Sequence, residues 1–276
     1  MCRHRRSRPR PGQDRPRPAA AGTARGGPGP AADPARAGGA LRGRRDDPTV
    51  SAAIVTVDGP AGSGKTTLGR RLALELGLPF IDTGLFYRAV TVAVVRAGLT
   101  AGDRAQIIEV ARAALIEVNT APGDESWEVR VNGVDPAAEI RDPRHAALLT
   151  TVSQLPEVRR HLLALQRAPA AGGAVAVGRD CGTVVFPGAA VKLYLQASED
   201  LRAARRAAQL AGQGAAVDPE VLRSEISGRD RGDAPAMAAA PDAVVIDTGT
   251  GGIDQMVALA LELCAAAGID VPERLS

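Results

Sequence analysis

Gly59-Pro60-Ala61-Gly62-Ser63-Gly64-Lys65-Thr66-Thr67 is the stretch on which the reading of this chain turns. It has glycine, four residues, glycine, lysine and then a hydroxyl residue, the spacing of a phosphate-binding loop. Both flanks agree. Residues 52–57 form a short, mostly apolar, β-branched run, the pattern of a buried parallel strand. Leu68, Leu72 and Leu76 then share one helical face until Gly77 and Pro79 stop the helix. The glycines let the backbone take positive φ and approach a ligand closely. Successive N–H groups then point into one concavity at the positive end of a helix. Lys65 adds an ammonium for the β- and γ-phosphates, and the Thr66 hydroxyl is placed for Mg²⁺. The whole run, Gly59 to Thr67, is expected to bind a nucleoside triphosphate. The loop leaves the phosphate acceptor open.

Charge is unevenly distributed. Residues 1–48 carry twelve arginines and four aspartates, a balance of +8, so the rest of a +3 chain is −5. The basic character lies in this segment, which removes most of the argument for a nucleic-acid partner, and none is expected. The segment is Arg, Pro, Ala and Gly with few large apolar side chains, and is expected to be a disordered tail. The working protein is expected to begin near Thr49-Val50. Lysine occurs only at Lys65 and Lys192. Cys2, Cys181 and Cys264 are too few and too far apart for a disulfide framework or metal cluster. No apolar run approaches the ~18–20 residues of a membrane span, so a cytoplasmic protein without membrane contact is expected.

Beyond the loop, Pro79 to Asp82 reads as a strand, with Thr83-Gly84 capping a helix that carries Arg88 and ends at Gly98. A helix over 103–113 follows. Leu115, Ile116 and Val118, then Trp127, Val129 and Val131, predict a small antiparallel insert, and Asn132-Gly133 signals a hairpin turn. Helices are expected over 142–152 and 156–168. Ala174–Val177 and Val191–Leu195 read as buried strands. Ser198 caps an arginine-rich helix, and Asp218-Pro219-Glu220 starts another. Residues 228–240 read as a loop or lid. Ala243–Asp247 is the last strand, and a closing helix runs from Ile253 to Ala267. Alternating strands and helices predict an α/β fold, a doubly wound five-stranded parallel sheet with a β insert and a helical lid. Residues 49–276 form the expected folded domain, with the insert region at about 100–168 and the lid at about 212–240.

Three segments together resemble bacterial cytidylate kinase: Val57 to Lys65, Asp82-Thr83-Gly84-Leu85-Phe86-Tyr87-Arg88, and Gly178-Arg179-Asp180-Cys181-Gly182-Thr183-Val184-Val185-Phe186-Pro187. The resemblance covers roughly residues 53–267. It implies transfer of the γ-phosphoryl group of ATP to CMP or dCMP, with Mg²⁺, by a monomer. It also implies roles for particular side chains. Thr83 matches a hydroxyl on the acceptor nucleotide, and Thr150 stands where a serine touches cytosine. Arg88, Arg159 and Arg179 match guanidiniums on the acceptor phosphate. Asp180 matches a carboxylate on the sugar hydroxyls, and Arg229 and Asp233 match the start of the lid motif. Lys65, Arg159, Arg179 and Arg229 are the implied catalytic cations.

The chain departs from the family at three places. Val177 replaces a usual Asp or Glu, so that Mg²⁺ would rest on Thr66 and water, with Asp58 helping. The lid is about four residues short and has no arginine before Asp242. Gly188 replaces a common Asp. These departures define the alternatives: an impaired nucleotide-binding paralogue with a degraded lid, or a kinase for another small acceptor.

Overall fold

The structure is a computed structural model that describes residues 53–119, 128–137, 139–212, 218–234 and 237–272. The expected tail, residues 1–48, and Trp127 lie outside the described residues. Five strands form one parallel sheet in the order β2-β5-β1-β6-β7: β1 (Ile54–Asp58), β2 (Phe80–Asp82), β5 (Ala174–Val177), β6 (Val191–Gln196) and β7 (Val244–Asp247). A two-stranded antiparallel sheet, β3 (Ile116–Asn119) with β4 (Glu128–Val131), is the expected insert.

Helices cover both faces of the main sheet. On one side α1 (Lys65–Leu76) and α8 (Ile253–Ala266) pack through Leu68, Leu72, Val257, Ala260 and Cys264 onto Val55, Val57, Val175 and Val177. On the other, α2 (Thr83–Arg96), α3 (Arg104–Ala113), α4 (Ala146–Gln154) and α5 (Pro156–Arg167) enclose Phe86, Val90, Ile107, Val158 and Leu162. Alternation along β5 sorts these faces by size. Val175 and Val177 turn to the α1 side, while Ala174 and Ala176 turn to the α2 side. The insert packs Ile116, Val129 and Val131 into the second core.

Two local expectations are corrected, and the hairpin turn is found as expected. The cap of α2 is Asp82, whose carboxylate accepts the Gly84 N–H at 3.0 Å, and not Thr83-Gly84. An extended carboxylate at the strand end reaches the first-turn amides, whereas the Thr83 hydroxyl turns inward to donate to Val177 O at 3.0 Å. Asn132 and Gly133 take φ of 53° and 76°, the left-handed pair of a type I′ turn, and make the expected hairpin turn at the end of β4. The turn brings Val134 back onto Val131 as an isolated bridge. Finally, residues 228–233 are helical: α7 runs Pro219–Asp233, starting at the Asp218 cap. Two glycines in a helix cost ~1 kcal/mol each relative to alanine. Burial of Leu222 and Ile226 and the Arg202–Asp230 ion pair against α6 (Glu199–Gly212) offset this.

Candidate active site

The phosphate loop has the conformation its glycines predict. Gly59, Gly62 and Gly64 have φ of 139°, 78° and 95°. A Cβ at Gly59 would overlap the carbonyl oxygen of Leu195, so side chains are excluded there on two grounds. Gly64 is the N-cap of α1 without a side-chain cap, which leaves the first-turn amides for a ligand. Lys65 folds back and donates to Pro60 O at 2.7 Å. Burial holds its ammonium well below the usual lysine value, Arg179 adds to this, and the charges of Asp82, Asp58 and Asp233 act the other way.

Ala61, Gly62, Gly64, Lys65, Thr66 and Thr67 form one wall of a cavity of about 760 Å³. Arg202, Arg205 and Arg206 of α6 form another, and Gly251 to Ile253 a third. Arg88 from α2 and Arg141 face the same space. An apolar strand, a glycine turn and a helix N-terminus thus build one side of the cavity, and α2 brings the Arg88 guanidinium up to it.

Several of the other predicted acceptor residues are engaged in pairs. Arg159 of α5 pairs with the Asp180 carboxylate, donates to Ser153 O at 3.1 Å, and lies 5.7 Å over the centroid of the Tyr87 ring. Arg179 pairs with Asp233 at 2.8 Å and donates to Gly59 O at 3.0 Å, tying the lid helix to the phosphate loop. Burial raises the Asp180 pKa, and Arg159 opposes the shift. Thr150 is exposed on α4 and donates to Ala146 O at 3.0 Å. Its methyl group lies against Gly232 of α7, whose carbonyl accepts the Gln154 amide at 3.3 Å. Thr83 is 3% exposed, with its hydroxyl engaged by Val177 O. The Arg229 side chain lies outside the described residues, although its backbone belongs to α7.

Two features that the sequence reading missed hold this arrangement. Asp58, at the end of β1, accepts the Cys181 N–H at 2.8 Å and the Gly182 N–H at 2.7 Å. It thereby fixes the turn of π-helix over Cys181–Val185 that follows the Gly178-Arg179-Asp180 segment. Each oxygen accepts one amide, so Asp58 acts as a tether between β1 and that turn. The second feature is Gly178. A Cβ there would overlap the Thr83 hydroxyl and the Cys181 sulfur, so the close approach of α2 requires glycine. Asp58 and Cys181 are 123 residues apart, and no local spacing announces the pairing. Val177 is 2% exposed and packs on Gly69 and Phe80 beneath α1.

Among the described residues no helix is long and apolar enough to cross a membrane, and no group of three or more His, Cys, Asp or Glu is placed to hold a metal. Residues 55–266 match the family described as cytidylate kinase. A cytidylate kinase of Symbiobacterium thermophilum is 39% identical over 216 residues, covering 76% of this chain and 95% of the relative. One from Pelotomaculum thermopropionicum is 39% identical over 208 residues, covering 74% and 92%. One from Mycobacterium avium is 42% identical over 201 residues, covering 71% and 87%. With a phosphate loop on a five-stranded parallel sheet, an antiparallel insert and a helical lid, the chain belongs to the cytidylate kinase family.

Proposed function

We propose that this protein transfers the γ-phosphoryl group of ATP to CMP or dCMP, giving ADP and CDP or dCDP. The observation that carries the reading is that Arg88, from the acceptor side, shares one cavity with Lys65 and Thr66. Phosphoryl transfer asks a protein for alignment and charge neutralisation more than for covalent chemistry. No side-chain nucleophile is needed: an oxygen of the acceptor phosphate attacks in line. The amides of residues 59–67 cradle the triphosphate, with Lys65 on its terminal oxygens. Arg88, Arg159 and Arg179 grip the acceptor phosphate, since planar guanidinium forks bind phosphate oxygens in pairs. Thr150 and Asp180 face the nucleoside, Thr83 supports them from below with its hydroxyl held by Val177 O, and Arg229 and Asp233 close over it from α7.

Mg²⁺, when bound, neutralises the β- and γ-oxygens. The residues present fit such an ion. Thr66 is exposed in the cavity. Of the three carboxylates whose charge reaches Lys65, Asp58 is occupied by two amides and Asp233 by Arg179. Asp82 has one oxygen on Gly84 N–H and its other oxygen available to ordered water around the ion. The reading includes a monomer working in the cytoplasm on small molecules. It also takes 49–276 as the kinase domain and 212–240 as the lid.

Coupled ADP release with ATP and each of CMP, dCMP, UMP and AMP tests the proposal. CMP and dCMP should support the highest rates. ATP binding without any rate on CMP or dCMP would favour the impaired paralogue, the reading to which the arginine-free stretch 234–241 points.

A further inference from the structure

Helix α6 lends Arg202, Arg205 and Arg206 to the donor cavity. Two of these hold the fold. Arg202, 5% exposed, donates to Ala197 O and Ala61 O at 3.2 Å each and pairs with Asp230 at 2.6 Å. Arg205 donates to the hydroxyl and the carbonyl of buried Thr248 at 2.8 and 2.7 Å. Arg206 is different. Its hydrogen bond runs to the neutral Gln209 side chain at 2.8 Å, one turn along the same helix. Among the described residues it has no carboxylate partner, whereas Arg159, Arg179 and Arg202 each have one.

Its position is also distinctive. A second cavity, of about 190 Å³, adjoins the first, and Arg88, Arg141 and Arg206 line both. Arg206 therefore stands on α6 where the donor cavity meets the guanidiniums of Arg88 and Arg141. The stretch 234–241 at the end of the lid supplies no arginine. Charge on a transferring phosphoryl group spreads over three equatorial oxygens and calls for a cation beyond those that grip the two nucleotides. A guanidinium held by a neutral amide gives up less to reach that position than one in an ion pair.

We propose that Arg206 is the guanidinium that meets the transferring phosphoryl group, in place of an arginine from the end of the lid. The proposal rests on the phosphotransferase reading above. The bond that forms joins an acceptor-phosphate oxygen to the γ-phosphorus. The bond that breaks joins that phosphorus to the β,γ-bridging oxygen, which leaves with its electron pair on ADP. No proton moves to or from Arg206.

The test compares Arg206→Met and Arg206→Lys with the wild type as full chains, by ADP release at varied ATP and CMP. We expect kcat to fall about 10²–10³-fold in R206M with both KM values within about threefold. R206K should recover under a tenth of the loss, because an ammonium cannot replace the planar fork. Calorimetry with ADP, aluminium fluoride and CMP should show the ternary complex in the wild type and its loss in R206M, with Tm within ~2 °C for both variants. A kcat within about threefold of wild type would overturn the proposal. So would a raised KM for ATP at constant kcat, or an equal fall in Tm in both variants. A wild type that turns over neither CMP nor dCMP would take the functional reading down as well, whereas an active wild type with an unaffected R206M defeats this assignment alone.

Discussion

Asp58→Asn tests whether the strand that launches the phosphate loop also positions the acceptor segment. The carboxylate accepts two buried amides, Cys181 N–H at 2.8 Å and Gly182 N–H at 2.7 Å. Asparagine keeps one acceptor and turns an NH₂ group toward the other amide. The change removes one charge-assisted bond, about 1.5–3 kcal/mol, and leaves a buried donor unpaired, about 1–3 kcal/mol. Relief acts against this, because burial raises the Asp58 pKa and the lost charge was poorly solvated. The net cost is about 2–4 kcal/mol, a fall in Tm of about 5–15 °C for a domain of this size. The turn freed by the change directly follows Arg179 and Asp180, so kcat/KM for CMP should fall about 10–100-fold, more than the KM for ATP changes. Differential scanning calorimetry and steady-state kinetics on the full chain read both effects. A Tm within ~2 °C of wild type together with an unchanged KM for CMP would refute the tether.

Lys65→Ala should reduce turnover roughly 10³-fold without lowering Tm, since it removes an ammonium already disfavoured by burial; a thermal scan beside the kinetic assay checks both. Val177→Asp puts a carboxylate under α1 against Gly69 and Phe80, at a cost of about 3–5 kcal/mol. Urea unfolding should reveal that loss, and a variant as stable as wild type would mean that the strand end can turn the side chain toward the cavity. The Asp142 carboxyl, held by the Arg144 guanidinium and N–H, is depressed from 3.8 to about 2. Its contribution to stability is complete above its unfolded pKa of 3.8 and is lost as pH falls through about 2. A carboxyl-carbon NMR titration should place the midpoint in that lower range, and a midpoint at the ordinary value would rule out the pairing.

Most of the frame was legible because its signals are local. The phosphate loop, the αL glycine at Gly77 that ends α1, and the Asp218-Pro219 start of α7 each announce themselves within a few residues. The helical stretch over 228–233 was not legible, because Gly228 and Gly232 argue for a loop until α6 and α4 are known to pack against it. The faces of β5 were equally hidden: Ala174-Val175-Ala176-Val177 is apolar throughout, and only packing reveals which side each residue serves. In the site, Lys65, Thr66 and Arg88 come together as the motifs imply. What the sequence could not display is mutual occupation. Arg159 with Asp180, and Arg179 with Asp233, are pairs made by tertiary closure, 21 and 54 residues apart.

In the proposed reaction those two pairs would act as placeholders. An incoming molecule that brings its own negative charge exchanges one anion for another at each arginine, at little electrostatic expense. An uncharged nucleoside offers nothing in trade, so both guanidiniums would keep their internal partners and α7 its grip on Gly59 through Arg179. Discrimination by charge would then precede discrimination by base, built into contacts that the empty protein makes with itself.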